Sequence, residues 1–444
     1  MPRVRLRSVT SPFCAAALFC AGSLFAAACA APQPAAPPVA TPVAPIVVTP
    51  PVEPALSARV DAVLDAEIAA QRIVGAVVLV ARDGQLVYHR AAGFADREAH
   101  TAVSEQTQFR LASMSKPIVS IAALALVEAH ALDLQDPVSK YLPQFQPATA
   151  DGQKPEITIR QLLTHTSGLD YPWGEPPGGP YHRLNVSSGF DQPGLSLAEN
   201  LDRLNRVPLL SAPGAMWRYS LGIDVLGGVV AQAGGSTLPE VVQRLVTGPL
   251  HMTAGFRASE PALLAVPYVD AEPRAARMTD PQRLPFAADA IVYSPSRIFN
   301  AASYPSGGMG MVGTAGDYLK FLEMLRTGGG PVLHAESAAA ATSNQIGELP
   351  VAFGKGWGWG YGFAVLQVAD PTLPWAVGTW RWIGGYGSHF WVDPTAKLSV
   401  VVLTNTTLHG ALGSFADQLR NAVYGFVPPA QVQPDVEAAP SAKQ

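Results

Sequence analysis

Apolar runs and alternation divide this chain into a few elements, and their order suggests an architecture. Residues 57–64 (Ser57-Ala58-Arg59-Val60-Asp61-Ala62-Val63-Leu64) set Val60 and Leu64 on one helical face, with Ser57 as the candidate cap. Residues 76–81 are an unbroken apolar run, Asp83-Gly84 is a tight-turn pair, and residues 85–88 complete a predicted hairpin. A second hairpin is predicted over 389–393 and 398–404, closing around Pro394-Thr395, with a last helix over 411–424. Between these lie an apolar helical run over 117–131, a Gly/Pro-rich stretch over 171–194 and another apolar run over 225–230. Strands near both chain ends with helices between them predict an α+β fold. Its antiparallel sheet is built from both ends and flanked by helices, with a mostly helical insertion at roughly 130–300.

Composition narrows the picture. The chain has 444 residues, 48% of them hydrophobic and 14% charged, with a formal net charge of −4. That length is ample for a large core, and the charge balance gives no case for a nucleic-acid partner. Residues 1–28 read as a signal peptide: Arg3, Arg5 and Arg7 precede an apolar run over 13–28 that is short for a membrane span. The three cysteines, Cys14, Cys20 and Cys29, all fall in the first 29 residues, so the expected mature domain has no disulfide and no thiol nucleophile.

Ala26-Ala27-Ala28-Cys29 resembles a bacterial lipobox, with Ala26 where Leu is usual. Lipidation at Cys29 and plain secretion therefore both stay open. Either way the expectation is an exported, periplasmic or membrane-anchored protein whose membrane contact comes only through that anchor. Residues 29–54 form a Pro-rich tether, with nine prolines between 31 and 54, extending about 3.1 Å per residue. One domain is expected over 55–427, and a disordered polar tail over 428–444. With no H-E-x-x-H and nine histidines scattered singly, no metal and no cofactor are expected.

The most telling stretch is Ser113-Met114-Ser115-Lys116, where a loop gives way to the helical run. If Ser113 opens that helix, residues three apart share a face and Lys116 points at its hydroxyl. A partly buried lysine loses its proton near neutral pH and serves as a base. Tyr219-Ser220-Leu221 precedes the second apolar run. Beside Lys116 its phenol is expected partly as phenolate, taking the Ser113 proton and delivering it to the leaving group. Trp382-Ile383-Gly384-Gly385-Tyr386-Gly387 leads into a strand, and its glycines allow close backbone approach to a ligand. The N–H of Ser113 and one from this strand edge are the candidate oxyanion hole.

Together these boxes resemble the serine β-lactamase-related hydrolases. That group holds class C β-lactamases, D-alanyl-D-alanine peptidases, family VIII carboxylesterases and 6-aminohexanoate-dimer hydrolases. The resemblance runs through Phe109-Arg110-Leu111-Ala112-Ser113-Met114-Ser115-Lys116-Pro117, Leu163-Thr164-His165-Thr166-Ser167-Gly168 and Gly307-Gly308-Met309-Gly310-Met311 to Phe390-Trp391-Val392-Asp393-Pro394. It implies the β-lactamase/D-alanyl-D-alanine-peptidase fold, with Ser113 the acylated nucleophile, Lys116 and Tyr219 its proton-handling partners, and the N–H groups of Ser113 and Gly385 the oxyanion hole. The His165 segment is read as architectural.

Two departures set the expected substrate. The second box ends in Leu221 where class C β-lactamases have Asn, and the third begins with Trp382 where they have Lys. Arg381 is no substitute, since neighbouring strand residues face opposite ways. An amide and a cation have been exchanged for apolar groups, as in family VIII carboxylesterases. Leu221, Trp382 and Gly384, with Trp173 from the Pro-rich loop, are therefore the candidate substrate-binding residues, and a small-molecule ester is the expected partner. No G-x-S-x-G occurs, so nothing supports the α/β-hydrolase route. The alternatives kept open are a β-lactamase, a short-amide hydrolase, a D-amino-acid peptidase and a non-catalytic penicillin-binding sensor. With only one lysine beside Tyr219, activity is expected to rise into the alkaline range.

Overall fold

Both chain ends supply one sheet, as the pattern predicts. The computed structural model describes residues 54–429, position 259 excepted, and these fall in one compact unit. Helix α1 (Pro54–Ala69) leads into β1 (Gly75–Arg82) and β2 (Gln85–Asp96), with the short β3 (Thr101–Ala102) beyond. Asp83 and Gly84 join β1 to β2 with φ of +50° and +80°, as a two-residue hairpin turn requires. Helices α2 (Ser115–Glu128), α3 (Gly222–Ala233) and α4 (Ala315–Arg326) come next. Then follow β4 (Trp357–Trp359), β5 (Ala364–Leu366), β6 (Trp380–Gly384), β7 (Ser388–Asp393), β8 (Leu398–Thr404) and α5 (Ser414–Tyr424).

The strand order is β4-β5-β6-β7-β8-β1-β2-β3. β8 pairs antiparallel with β1 from Ala76 opposite Thr404 to Arg82 opposite Leu398, joining the chain ends at the sheet's centre. Both strands are largely apolar, Arg82, Ser399 and Thr404 excepted, because both faces are covered. Val78, Val80, Val400 and Val402 pack under Val60, Leu64, Phe415 and Leu419 of α1 and α5. Val77, Leu79, Val401 and Leu403 face the larger core that contains α2 and α3. Helix α2 is apolar nearly all round and buried, which places it at the centre of that core.

Three expectations need correction. Helix α1 starts at Pro54, three residues before Ser57, so Ser57 lies inside the helix. The helix expected over 411–424 is broken: a turn over His409–Leu412 ends at Gly413, whose backbone is extended, and α5 follows. A Cβ at Gly413 would sit 2.4 Å from His409 Nδ1. The 130–300 insertion also holds two ribbons, Tyr268–Val269 with Ala276–Arg277 and Gln282–Phe286 with Asp289–Tyr293.

The signal peptide, Cys29, the tether up to residue 53 and the tail from residue 430 lie outside the described residues. Among the described residues no helix is long and apolar enough to cross a membrane.

Candidate active site

Ser113 reaches its position one tight turn earlier than expected. The short pairing of Phe109–Arg110 with Val312–Gly313 leads into a 3-10 turn over Ala112–Met114, and α2 begins only at Ser115. Ala112, just before the serine, holds φ at +48°, a left-handed conformation costly for a residue with a Cβ. The three-residue spacing still works: Lys116 Nζ lies 3.3 Å from Ser113 Oγ and donates at 2.9 Å to the Gly308 carbonyl. Lys116 is fully buried. Desolvation pushes its pKa down to about 7, with the Asp224 carboxylate pulling the other way.

Tyr219 stands against that lysine, face on. Lys116 Nζ is 4.6 Å from the centre of its ring, and the ring packs on His165 at 4.8 Å and Trp382 at 5.2 Å. Its hydroxyl is buried without a hydrogen bond of normal geometry among the described residues. Burial pushes the phenol pKa up; the nearby Ser113 and Trp382 side chains lower it only in part, and Asp224 raises it further. That direction runs against the expected phenolate: burial favours the neutral forms of both Tyr219 and Lys116. His165, fully buried and held well below its usual pKa by desolvation, accepts the Ser220 N–H at 3.2 Å. It braces the Tyr219 segment.

Two functional neighbours escaped the sequence reading. Met309 Sδ lies 3.2 Å from Ser113 Oγ, accepting its hydroxyl, and 3.8 Å from Lys116 Nζ. Asp224 is buried and its pKa is raised by desolvation; Ser306 Oγ donates to its Oδ1 at 2.6 Å, while Oδ2 has no hydrogen bond of normal geometry among the described residues. A Cβ on Gly308 would sit 2.6 Å from Asp224 Oδ2, 3.2 Å from Lys116 Nζ and 3.2 Å from the Tyr171 hydroxyl. Only glycine allows acid, lysine and tyrosine to converge there. The run Gly307-Gly308-Met309-Gly310-Met311 was the available signal, but nothing local says what it packs between.

The candidate binding residues divide. Trp382 and Trp173 line a cleft of about 440 Å³ with Ser113, Tyr219, Phe190, Trp217, Phe286 and Phe353. Trp173 stacks on Tyr171 at 4.1 Å and 11°, and Arg218 ties its loop down through Asp170 at 2.7 Å and the Gly174 carbonyl at 2.9 Å. Gly385 also lines the cleft, its carbonyl accepting from Tyr293 at 3.0 Å. Gly384 does not. A Cβ there would sit 2.4 Å from the Leu111 carbonyl oxygen, so it seats β6 against the nucleophile's turn. Leu221 is corrected too: it is fully buried in the core at the start of α3, outside the residues that line the cleft. Among the described residues no three His, Cys, Asp or Glu side chains group to hold a metal ion.

A serine within hydrogen-bond reach of a buried lysine at the head of a central helix, beside β6 of an antiparallel sheet, is the arrangement of a serine hydrolase. The Beta-lactamase family model matches residues 60–423, and the chain belongs to that family. It is 46% identical to Esterase EstB of Burkholderia gladioli over 361 residues, 80% of this chain and 91% of that protein. The solved structure of EstCE1, a hydrolase with promiscuous acyltransferase activity, superposes with a TM-score of 0.82 at 43% identity, covering 84% of this chain and 99% of that one. Unliganded simvastatin synthase (LovD) of Aspergillus terreus shares the fold at 22% identity, with a TM-score of 0.66 over 83% of this chain and 98% of that one.

Proposed function

We propose that this protein is a carboxylesterase acting through an acyl-enzyme on Ser113, with short-chain or apolar esters as substrates. The observation that carries the reading is Ser113 Oγ at 3.3 Å from a buried lysine at the base of an aromatic-walled cleft. The similarity to Esterase EstB supports it. Of the two cations lining the cleft, Arg218 is neutralised by Asp170 and the Arg381 guanidinium is turned onto Trp375 and Trp357, and Trp382 stands where a carboxylate-binding lysine would be. A neutral ester loses no charge hydration on entering such walls, whereas a carboxylate does.

In this reading neutral Lys116 takes the Ser113 proton as Oγ attacks the ester carbonyl. The oxyanion is held by the N–H groups of Ser113 and Gly385. Tyr219, a neutral phenol, donates its proton to the departing alkoxide and is reprotonated from the Lys116 ammonium. Water then attacks the acyl-enzyme by the reverse relay, releasing the acid and restoring Ser113. Export behind the leader, with lipidation of Cys29, belongs to the same proposal; the mass of the processed N-terminus tests it.

The direct test is acid quenching during turnover of a p-nitrophenyl ester, followed by peptide mass spectrometry. The expected result is one acyl group on the peptide containing Ser113. Acylation elsewhere, or undiminished turnover by Ser113→Ala, would overturn the assignment.

A further inference from the structure

On the other side of β6 lies a second polar centre that ester hydrolysis does not use. Arg381 borders the cleft, but alternation along the strand sends its guanidinium to the face opposite the Trp382 ring. The Arg381 guanidinium lies 5.0 Å from the ring of Trp375 and 5.7 Å from that of Trp357. Among the described residues no acceptor hydrogen-bonds to it. Arg420 crowds the same indole at 5.1 Å. Both nearby carboxylates favour Arg420: Asp417 accepts from it at 2.8 Å and Asp370 attracts it from further off, while Arg420 Nε also reaches Asn421 Oδ1 at 3.1 Å. That leaves the Arg381 guanidinium without a hydrogen-bonded carboxylate in a partly desolvated place, which is costly unless an anion answers it.

A cavity of about 180 Å³ opens between them, bounded by Trp375, Arg381, His389, Trp391, Asp417 and Arg420. Its walls hold three further unanswered groups, Trp375 Nε1, Trp391 Nε1 and His389 Nε2, all buried without a hydrogen-bond partner among the described residues. His389 Nδ1 lies 2.8 Å from the Gly410 carbonyl. A carbonyl only accepts, so Nδ1 carries the hydrogen and Nε2 is a lone pair. Burial and the neighbouring arginines keep that imidazole neutral, with its pKa down at about 3. The cavity therefore offers cationic and N–H donors together with one acceptor. We propose that this cavity on the far side of β6 is an oxyanion site formed by Arg381, Arg420, Trp375 and His389, whose ligand is hydrogen phosphate. Phosphate near neutral pH brings both negative oxygens for the donors and a P–OH for the His389 lone pair. Sulfate, acetate and chloride bring no proton, and the volume excludes long chains.

The test is thermal unfolding of the full chain at pH 7 and constant ionic strength in phosphate, sulfate, acetate or chloride. A saturable rise of about 1–2 °C in Tm is expected with phosphate, at least twofold tighter than with sulfate, absent in Arg381→Met and weakened in Arg420→Gln. Should Arg381→Met not fold, Arg420→Gln and His389→Phe carry the comparison. No shift with phosphate, or an equal shift in these variants, would overturn the site. Equal affinity for sulfate would overturn the role of His389 and the phosphate assignment with it.

Discussion

The environment of Lys116 decides the chemistry at the scale of single residues. Burial takes its pKa from 10.5 to about 7, whereas the same burial drives Tyr219 further from ionising. In the proposed mechanism Lys116 must be unprotonated to act as base, so kcat/KM is expected to fall below about pH 7 and stay level to pH 9, since burial keeps the proton on Tyr219. A continuous rise to pH 10 would restore the phenolate. Asp224 supplies the one charge that favours the Lys116 cation. Asp224→Asn, which still accepts from Ser306, should move the acid limb to lower pH by about one unit. An unmoved midpoint would remove Asp224 from the mechanism. Tyr219→Phe should cut kcat by about 10²–10⁴. Because the hydroxyl has no good partner to lose, Tm should hold or rise.

At the scale of elements, the site depends on close backbone approach. Gly384→Ala would push its Cβ to 2.4 Å from a backbone oxygen of the nucleophile's turn, and neither backbone yields easily. The expected cost is about 1–3 kcal/mol of stability and at least a tenfold loss of kcat/KM, read by thermal unfolding and ester kinetics; wild-type kinetics would show that β6 need not sit so close. This scale also marks what the sequence made legible. Both hairpins and α2 followed from apolar period and turn chemistry, and Lys116 from its three-residue spacing. The break at Gly413 did not follow, because it answers to crowding by His409. Leu221 was misplaced because a box position does not say which way a side chain turns where a helix begins. Met309 is 196 residues from the serine it touches, and Asp224 hides in an apolar run. Contacts of that range leave no local mark.

For the whole molecule, the catalytic cleft rests on a sheet that is complete only when the chain ends meet. β8 pairs with β7 on one side and β1 on the other, so a chain ending before Leu398 should show no cooperative unfolding transition. A folded, active truncation would contradict that. The molecule's exchange of polar groups for aromatic walls is its central functional feature. The measurement that tests it most directly compares the wild type with Ser113→Ala on p-nitrophenyl butyrate and on a chromogenic cephalosporin. Rapid ester turnover that vanishes in Ser113→Ala, with little opening of the cephalosporin, is the predicted result. Efficient cephalosporin hydrolysis by the wild type, or ester turnover that survives in Ser113→Ala, would contradict it.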